Sequence, residues 1–159
     1  MPAIFCPSFT RSGWLRFSSG AGVYRWLDHT AELELELEAA TEREVLSDAL
    51  AALGELLQGE KAATYASASD QLERRVVHTC AGDRPALLAA WLEELLFLSE
   101  TSGFIPLRIE QLSLADEALT ATVAGRIGEP RPLVKAVTYH RLQFEPSERG
   151  YRGRVVFDV

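Results

Sequence analysis

Three short segments of this 159-residue chain carry residue types and spacings that could do chemistry. The first is Asp28-His29-Thr30-Ala31-Glu32, which places two carboxylates, an imidazole and a hydroxyl in one short stretch. Asp28 and Glu32 could both serve a hard divalent cation, because such ions prefer several oxygen ligands. An ordinary turn is the alternative, since Asp and Thr side chains often hydrogen-bond the local backbone. The residues alone leave both interpretations open.

The second segment, residues 134–140, is a mostly apolar stretch with a lysine near its start. Strand alternation predicts Lys135, Val137 and Tyr139 on one face of a sheet. A lysine that shares a face with valine and tyrosine could reach a phosphate or a carboxylate. The alternative is a lysine at the edge or end of a sheet, whose ammonium group extends into solvent.

The third segment is the end of the chain, residues 154–159, whose composition is strongly strand-like. Asp158 and the terminal carboxylate of Val159 together offer about half of the oxygens of a calcium shell. An acidic residue that merely ends a strand is the alternative. If these segments form a metal site, we expect Glu32 and Asp158 to lie close enough to share an ion.

The strands that must position these segments follow from hydrophobic periodicity. Glutamate and leucine alternate over residues 32–38, which predicts a strand with Leu33, Leu35 and Leu37 facing the core. Further strands are predicted at residues 23–27, 71–80, 104–114, 118–127, 134–145 and 151–159.

Two helices are predicted from their caps and apolar stripes. Thr41 and Glu44 form a capping box at the start of the first helix, and Gly59 suits its end. Asp83 is the expected N-cap of the second helix, which Gly103 ends. The sequence therefore predicts an α+β fold: a single two-layer domain in which a mostly antiparallel or mixed β-sheet covers two main α-helices.

Charge is unevenly distributed along the chain, whose net charge is −7. Residues 1–27 contain three arginines and no acid, so the rest carries 13 basic and 23 acidic side chains, a net charge of −10. Such an acidic body repels phosphate backbones, so any role with RNA is expected to be indirect. No apolar run approaches the roughly 18 residues needed to span a bilayer, and we predict no membrane contact.

The cysteines and the first residues bear on the setting of the protein. Cys6 and Cys80 give neither a disulfide framework nor a zinc-binding pattern, which favours a cytoplasmic, reducing location. Residues 1–22 are rich in Ser, Gly and Phe, and we predict a disordered extension or an over-long start. A targeting segment is the alternative. One domain is predicted over residues 23–159.

Weaker signals favour structure over chemistry. The acid row of Glu32, Glu34, Glu36 and Glu38 is most simply a solvated strand face. It could also extend a negative field that favours cations. Cys80 is predicted to be a small buried apolar residue without a base nearby.

These segments resemble the archease family. Residues 24–32 are similar to the family's opening motif, Asp-His-Thr-Ala-Asp, and residues 134–140 to its Val-Lys-Ala-Ile-Thr-Tyr-His motif. Residues 155–159 resemble the family's terminal strand, which ends in an aspartate and one apolar residue. The Leu-Glu-Glu-Leu-Leu sequence at residues 92–96 resembles part of the family's leucine-rich helix. The resemblance covers about residues 23–159.

The resemblance implies an accessory protein that is not itself an enzyme. Its partner would be an RtcB-type RNA ligase of tRNA splicing, whose guanylylation and multiple turnover it promotes. RNA is contacted only indirectly, and a homo-oligomer is compatible with the sequence. Lys135 matches a family lysine that is important for activity. Asp28 and His29 match the opening motif with less defined roles in activation.

The resemblance also implies a divalent metal site, with calcium expected first and magnesium or manganese as alternatives. The implied ligands are Glu32, Asp158 and the terminal Val159. Glu32 departs from the family, which usually has aspartate there, so its carboxylate extends one methylene further. A calcium shell tolerates that change better than magnesium does. Two other interpretations stay open: a chaperone-like protein-interaction module without a functional metal site, and a metal-dependent hydrolase.

Overall fold

The computed structural model describes residues 15–16, 23–29, 31–58 and 72–159. Along the chain these form eight strands and two helices: β1 (Leu15–Arg16), β2 (Val23–His29), β3 (Glu32–Ala39), α1 (Glu42–Gln58), β4 (Glu73–Cys80), α2 (Arg84–Ser102), β5 (Phe104–Leu114), β6 (Ala118–Ile127), β7 (Ala136–Ser147) and β8 (Gly150–Asp158). Apart from β1, the expectation of an extension at residues 1–22 lies outside the described residues, as do Gly59 and the segment 60–70.

The strands form two antiparallel sheets. The larger has the order β1-β2-β3-β8-β7, and the smaller has the order β4-β6-β5. Both helices contact both sheets: α1 packs on β3 and β5, and α2 packs on β7 and β4. The α+β prediction with two main helices and antiparallel pairing is confirmed. The hydrophobic pattern identified most strands, but it did not show that they divide between two sheets.

Capping side chains begin the helices at the predicted residues. The Thr41 hydroxyl accepts a hydrogen bond from the Glu44 N–H at 3.2 Å, and the Glu44 carboxylate accepts one from the Ala40 N–H at 3.0 Å. Asp83 accepts a hydrogen bond from the Ala86 N–H at 2.8 Å, which satisfies a free donor in the first turn of α2. Gly103 ends α2 with a φ of 67°, a left-handed conformation that glycine adopts without strain.

Leucines and aromatic residues fill the space between the helices and the sheets. Leu35 and Leu37 of β3 are buried, as the alternating pattern predicts. Trp91 of α2 is fully buried, and its indole N–H donates to the backbone carbonyl of Leu46 in α1 at 3.1 Å. This bond satisfies the polar end of a large buried side chain and fixes the two helices relative to each other. No helix in the described ranges is long and apolar enough to cross a membrane.

Strand β7 carries a large bulge. Thr138 pairs with Val156 and Gln143 pairs with Arg154, so residues 139–142 of β7 stand opposite a single residue of β8. Arg141, inside the bulge, has a φ of 55°, which is unusual for a residue with a side chain. Regular pairing of β7 therefore covers only residues 136–138 before the bulge. The prediction that Lys135, Val137 and Tyr139 share one face is not met, because Val137 is buried whereas Lys135 and Tyr139 are exposed.

Candidate functional site

The three polar segments meet at one end of the larger sheet. In the strand register Glu32 of β3 stands opposite Asp158 of β8, and Asp158 stands opposite Ala136 of β7. On the other side of β3, Glu32 stands opposite His29 of β2. Segments that are far apart in sequence thus form one row across four neighbouring strands.

Two backbone hydrogen bonds extend this row beyond the last paired residues. The Lys135 N–H donates to the carbonyl of Asp158 at 2.8 Å, which holds the lysine beside the chain end. The Val159 N–H donates to the carbonyl of Ala31 at 3.2 Å. The residue that carries the terminal carboxylate is therefore held against the start of β3.

The register brings the two predicted acidic ligands together. Directly opposed residues of an antiparallel pair share a face and have Cβ atoms about 4.5–5.5 Å apart, so Glu32 and Asp158 present their carboxylates on the same face. Glu32 is half-buried, whereas Asp158 and Lys135 are exposed. Neither acid forms an ion pair within the described residues.

Asp28 and His29 are located by their backbone. Asp28 pairs with Leu33 and His29 pairs with Glu32, at the end of β2 that adjoins the row. Their side chains lie outside what the structure describes, so their predicted roles in activation stay predictions.

The donor chemistry of this row fits an oxygen-preferring cation. Two opposed carboxylates and the terminal carboxylate of Val159 are hard ligands, as calcium requires. In the described part of the chain, no group of three His, Cys, Asp or Glu side chains is placed to hold a metal ion. Besides Glu32 and Asp158, a cation at this row could draw on the Val159 carboxylate, on water, and on neighbouring side chains outside the described ones.

The rest of the acid row on β3 differs from the prediction of a solvated face. Glu34 is only 3% exposed, because arginines from neighbouring strands cover it. Arg154 of β8 contacts Glu34 at 3.0 Å and Glu36 at 2.8 Å, while Arg141 of the β7 bulge reaches Glu34 at 3.4 Å. Arg25 of β2 pairs with Glu36 from the other side.

These arginines set the charge state of the row. Burial alone would raise the pKa of Glu36, but hydrogen bonds and charges from Arg25 and Arg154 lower that pKa below its usual value. Arginines contact the carboxylates of both Glu34 and Glu36, so these acids do not extend a negative field toward Glu32. That alternative from the sequence is not supported by the contacts.

A second acidic group lies along α1 beside β2, and sequence reasoning missed it. Burial raises the pKa of Asp48 to about 6, with a further contribution from Glu44. Burial also raises the pKa of Glu55, although a hydrogen bond from Tyr24 acts in the opposite direction. The pKa of the Tyr24 hydroxyl is raised as well, mainly by its burial. The helical pattern gives no signal for this, because these acids sit at the flank of an otherwise apolar helix.

Comparison with known families gives one match over almost the whole chain. Residues 24–159 match the model of the archease protein family (MTH1598/TM1083). Protein archease of Methanosarcina mazei is 30% identical, over 86% of this chain and 95% of that protein. Protein archease of Archaeoglobus fulgidus is also 30% identical, over 86% of this chain and 98% of that protein.

Solved structures show the same fold. The solution structure of protein 1598 from Methanobacterium thermoautotrophicum matches with a TM-score of 0.63 and 26% identity, over 86% of this chain and 98% of that one. A Thermotoga maritima crystal structure, described as an archease and possible chaperone, matches with a TM-score of 0.57 and 21% identity, over 93% of this chain and 100% of that one. The family model, the relatives and the fold agree: this chain belongs to the archease family.

Proposed function

We propose that this protein is an accessory activator of an RtcB-type RNA ligase. It promotes guanylylation of the ligase and multiple turnover in tRNA splicing or RNA repair, and it does no catalysis of its own. The row of Glu32, Asp158, Val159 and Lys135 is the part of the protein that acts on the ligase. The proposal rests on family membership together with the geometry of this row.

One observation carries the proposal of a cation at the row. Glu32 and Asp158 are directly opposed on neighbouring strands, and like charges in that position destabilise a sheet. Elsewhere on β3 arginines compensate the acids, but no described residue forms an ion pair with either of these two. A divalent cation would remove the repulsion and use both carboxylates as ligands.

Each residue of the row has a distinct role in this proposal. Glu32 and Asp158, with the terminal carboxylate of Val159, hold the ion, which supplies positive charge at the interface with the ligase. Lys135 is exposed and tied by its backbone to Asp158, so its ammonium group can contact an anionic group of the ligase or its nucleotide. Asp28 and His29 support the row from β2.

The overall charge fits a protein partner that holds the RNA. Residues after 27 carry a net charge of −10, which disfavours direct contact with a phosphate backbone. An exposed lysine beside opposed carboxylates is instead suited to a local site on a protein surface.

The direct test is ligase guanylylation measured with and without this protein. We expect Asp158→Asn and Lys135→Ala to lose most of the stimulation, since each removes one functional group from the row. Asp116→Asn is the matched control, because Asp116 is an exposed acid in the turn before β6 of the smaller sheet. Full stimulation by both Asp158→Asn and Lys135→Ala proteins would overturn the proposal.

The cation is tested separately by calorimetry with calcium, manganese and magnesium. We expect binding by the unmodified protein, loss of binding in Asp158→Asn, and tighter binding in Glu32→Asp, which restores the residue usual in the family. Absence of binding for all three ions would remove the metal from the proposal and leave the activator role to be judged by guanylylation alone.

The second candidate is a chaperone-like interaction module without a functional metal site. The observation in its favour is that the described side chains form no three-member metal-binding group. This candidate predicts that stimulation of the ligase survives both a chelator and the Asp158→Asn change. The activator with a cation predicts loss under both conditions.

A further inference from the structure

A cysteine, a histidine and a threonine meet on the outer face of the smaller sheet. The Cys80 sulfur lies 3.5 Å from Nε2 of His78, two residues earlier on β4. Nδ1 of the same imidazole lies 2.8 Å from the hydroxyl oxygen of Thr120, which stands opposite His78 on β6. All three residues are exposed.

This arrangement corrects the prediction that Cys80 is buried and has no base nearby. Val77 and Thr79 of β4 are buried, so strand alternation directs His78 and Cys80 to the opposite, solvent-facing side. The spacing His-x-Cys on a strand is the sequence signal that could have revealed the pair. It was missed because the apolar face of β4 is short and its direction is ambiguous.

One hydrogen-bond assignment satisfies all three groups. The thiol donates to Nε2 of His78, and Nδ1 carries the imidazole proton and donates to the Thr120 hydroxyl oxygen. The same hydroxyl can still accept from Nδ1 after His78 takes the thiol proton, because both ring nitrogens are then donors. Thr120 therefore holds the imidazole in one orientation before and after proton transfer.

We propose that Cys80 is a reactive thiol, with His78 as its base and Thr120 orienting the base, that forms mixed disulfides with small disulfides such as glutathione disulfide. A thiolate is the attacking species in thiol–disulfide exchange, and an adjacent imidazole supplies it. Because the pair lies on the open face of a sheet, a disulfide of that size can approach it.

The reaction is balanced. The proton of Cys80 passes to Nε2 of His78, and the thiolate sulfur attacks one sulfur of the disulfide. A bond forms between these two sulfurs while the original disulfide bond breaks. Cys80 is oxidised, and the departing sulfur is reduced and leaves as a thiol with the proton from His78.

A metal site is the less favoured use of the pair. A structural zinc ion needs four protein ligands, and a catalytic one needs three. Within the described ranges, no third His, Cys, Asp or Glu side chain joins Cys80 and His78 in a metal-binding group.

The test is the rate at which glutathione disulfide adds to Cys80 at pH 7, followed by mass spectrometry of the full chain. Cys6→Ser is the background, so that Cys80 is the sole thiol. We expect one adduct, formed roughly tenfold more slowly in His78→Gln. This is less than the roughly hundredfold or more that a positioned base contributes to catalysis, because a thiol is already partly ionised at pH 7. The rate for Thr120→Val is expected to lie between the rates for the Cys6→Ser background and for His78→Gln. Near pH 10 thiols ionise without help, so the rates should converge.

A displaced thiol is the matched control. Ser113 pairs with Thr120 from β5 and is exposed on the same face. Ser113→Cys, combined with Cys6→Ser and Cys80→Ser, is expected to react at the slow rate of His78→Gln. Equal rates at pH 7 for Cys80 with and without His78 would overturn the proposal. So would a folded protein that gives no adduct although its unfolded chain does.

Discussion

The middle and the end of strand β3 carry the same residue type on the same face, yet their surroundings are opposite. Glu34 and Glu36 in the middle are enclosed by Arg25, Arg154 and Arg141. Glu32 at the end faces another acid, Asp158. The arginines give the acids in the middle a structural role, whereas no described residue forms an ion pair with the two acids at the end.

The difference shows that position in the ladder, not residue type, decides what these glutamates do. An acid whose cross-strand neighbour is a cation contributes to stability, and an acid opposite another acid costs stability unless a third group intervenes. Four variants test this contrast, and they are ordered below by the size of the expected effect.

The largest effect is expected from removing the arginine that serves both middle glutamates. Removing one partner of a buried ion pair costs roughly 3–5 kcal/mol. Arg154→Ala leaves Glu34 with Arg141 at 3.4 Å, so we expect a smaller loss of roughly 2–3 kcal/mol in the free energy of unfolding. Urea unfolding at pH 7 measures it. Arg152→Ala is the control, because Arg152 is exposed on the same strand and forms no ion pair within the described residues. Equal losses for both variants would show that the arginines act only by packing.

Asp48 tests what burial does to an acid without an arginine. Its pKa is raised from 3.8 to about 6, so the folded state binds more protons than the unfolded state between about pH 4 and 6. The free energy of unfolding therefore falls as the pH rises through that window and stays lower above it. We expect Asp48→Asn to stabilise the protein by roughly 1–2 kcal/mol at pH 7 and to flatten this part of the pH profile.

That expectation is checked by urea unfolding of both proteins at pH 3.5 and at pH 7. The gain should be present at pH 7 and nearly absent at pH 3.5, where Asp48 is mostly protonated in both states. A gain of the same size at both pH values would assign it to something other than the charge.

A smaller effect on stability is expected at the end of β3. Asp158→Asn removes the repulsion of Glu32, so we expect it to raise the free energy of unfolding by about 0.5 kcal/mol in a chelator. In millimolar calcium the order should reverse, because the unmodified protein gains stability from the bound ion and the variant does not. Thermal unfolding in the two buffers measures both stabilities. If Asp158→Asn is the more stable protein in calcium as well, the acids at the end of β3 bind no ion.

The smallest effect is expected at Glu38, the last acid of the row. Its partner Arg149 is 84% exposed at a distance of 4.0 Å, and surface pairs of this kind contribute little. Glu38→Gln should change the free energy of unfolding by about 0.3 kcal/mol or less. A loss comparable to that of Arg154→Ala would mean that the enclosed part of the row extends further along β3 than these contacts show.

Local signals in the sequence were sufficient for the helices but not for the convergence of the polar segments. Capping residues such as Thr41 and Asp83 act on their own neighbours, so their effect is visible without the fold. The pairing of Glu32 with Asp158 was expected from the joint resemblance of distant motifs to one family. From each segment alone, a turn or the end of a strand was the better interpretation.

What the sequence did not show depends on contacts across strands. The burial of Glu34 depends on Arg154 of β8 and Arg141 of β7, and no local sequence pattern identifies those partners. The contact of Cys80 with His78 depends on which face of β4 points inward. The bulge in β7 could not be predicted from a glycine, because the residue in the left-handed conformation is Arg141.

The bulge in β7 also bears on how the protein behaves at high concentration. Among the described strands β7 is the outermost of the larger sheet, and the far edge of such a strand offers backbone groups to which another chain could add a strand. Residues 139–142 interrupt the regular course of this strand, and Pro146 has no backbone N–H to donate. Shortening the bulge to restore a regular strand would lengthen the flat edge and favour stacking of molecules into aggregates.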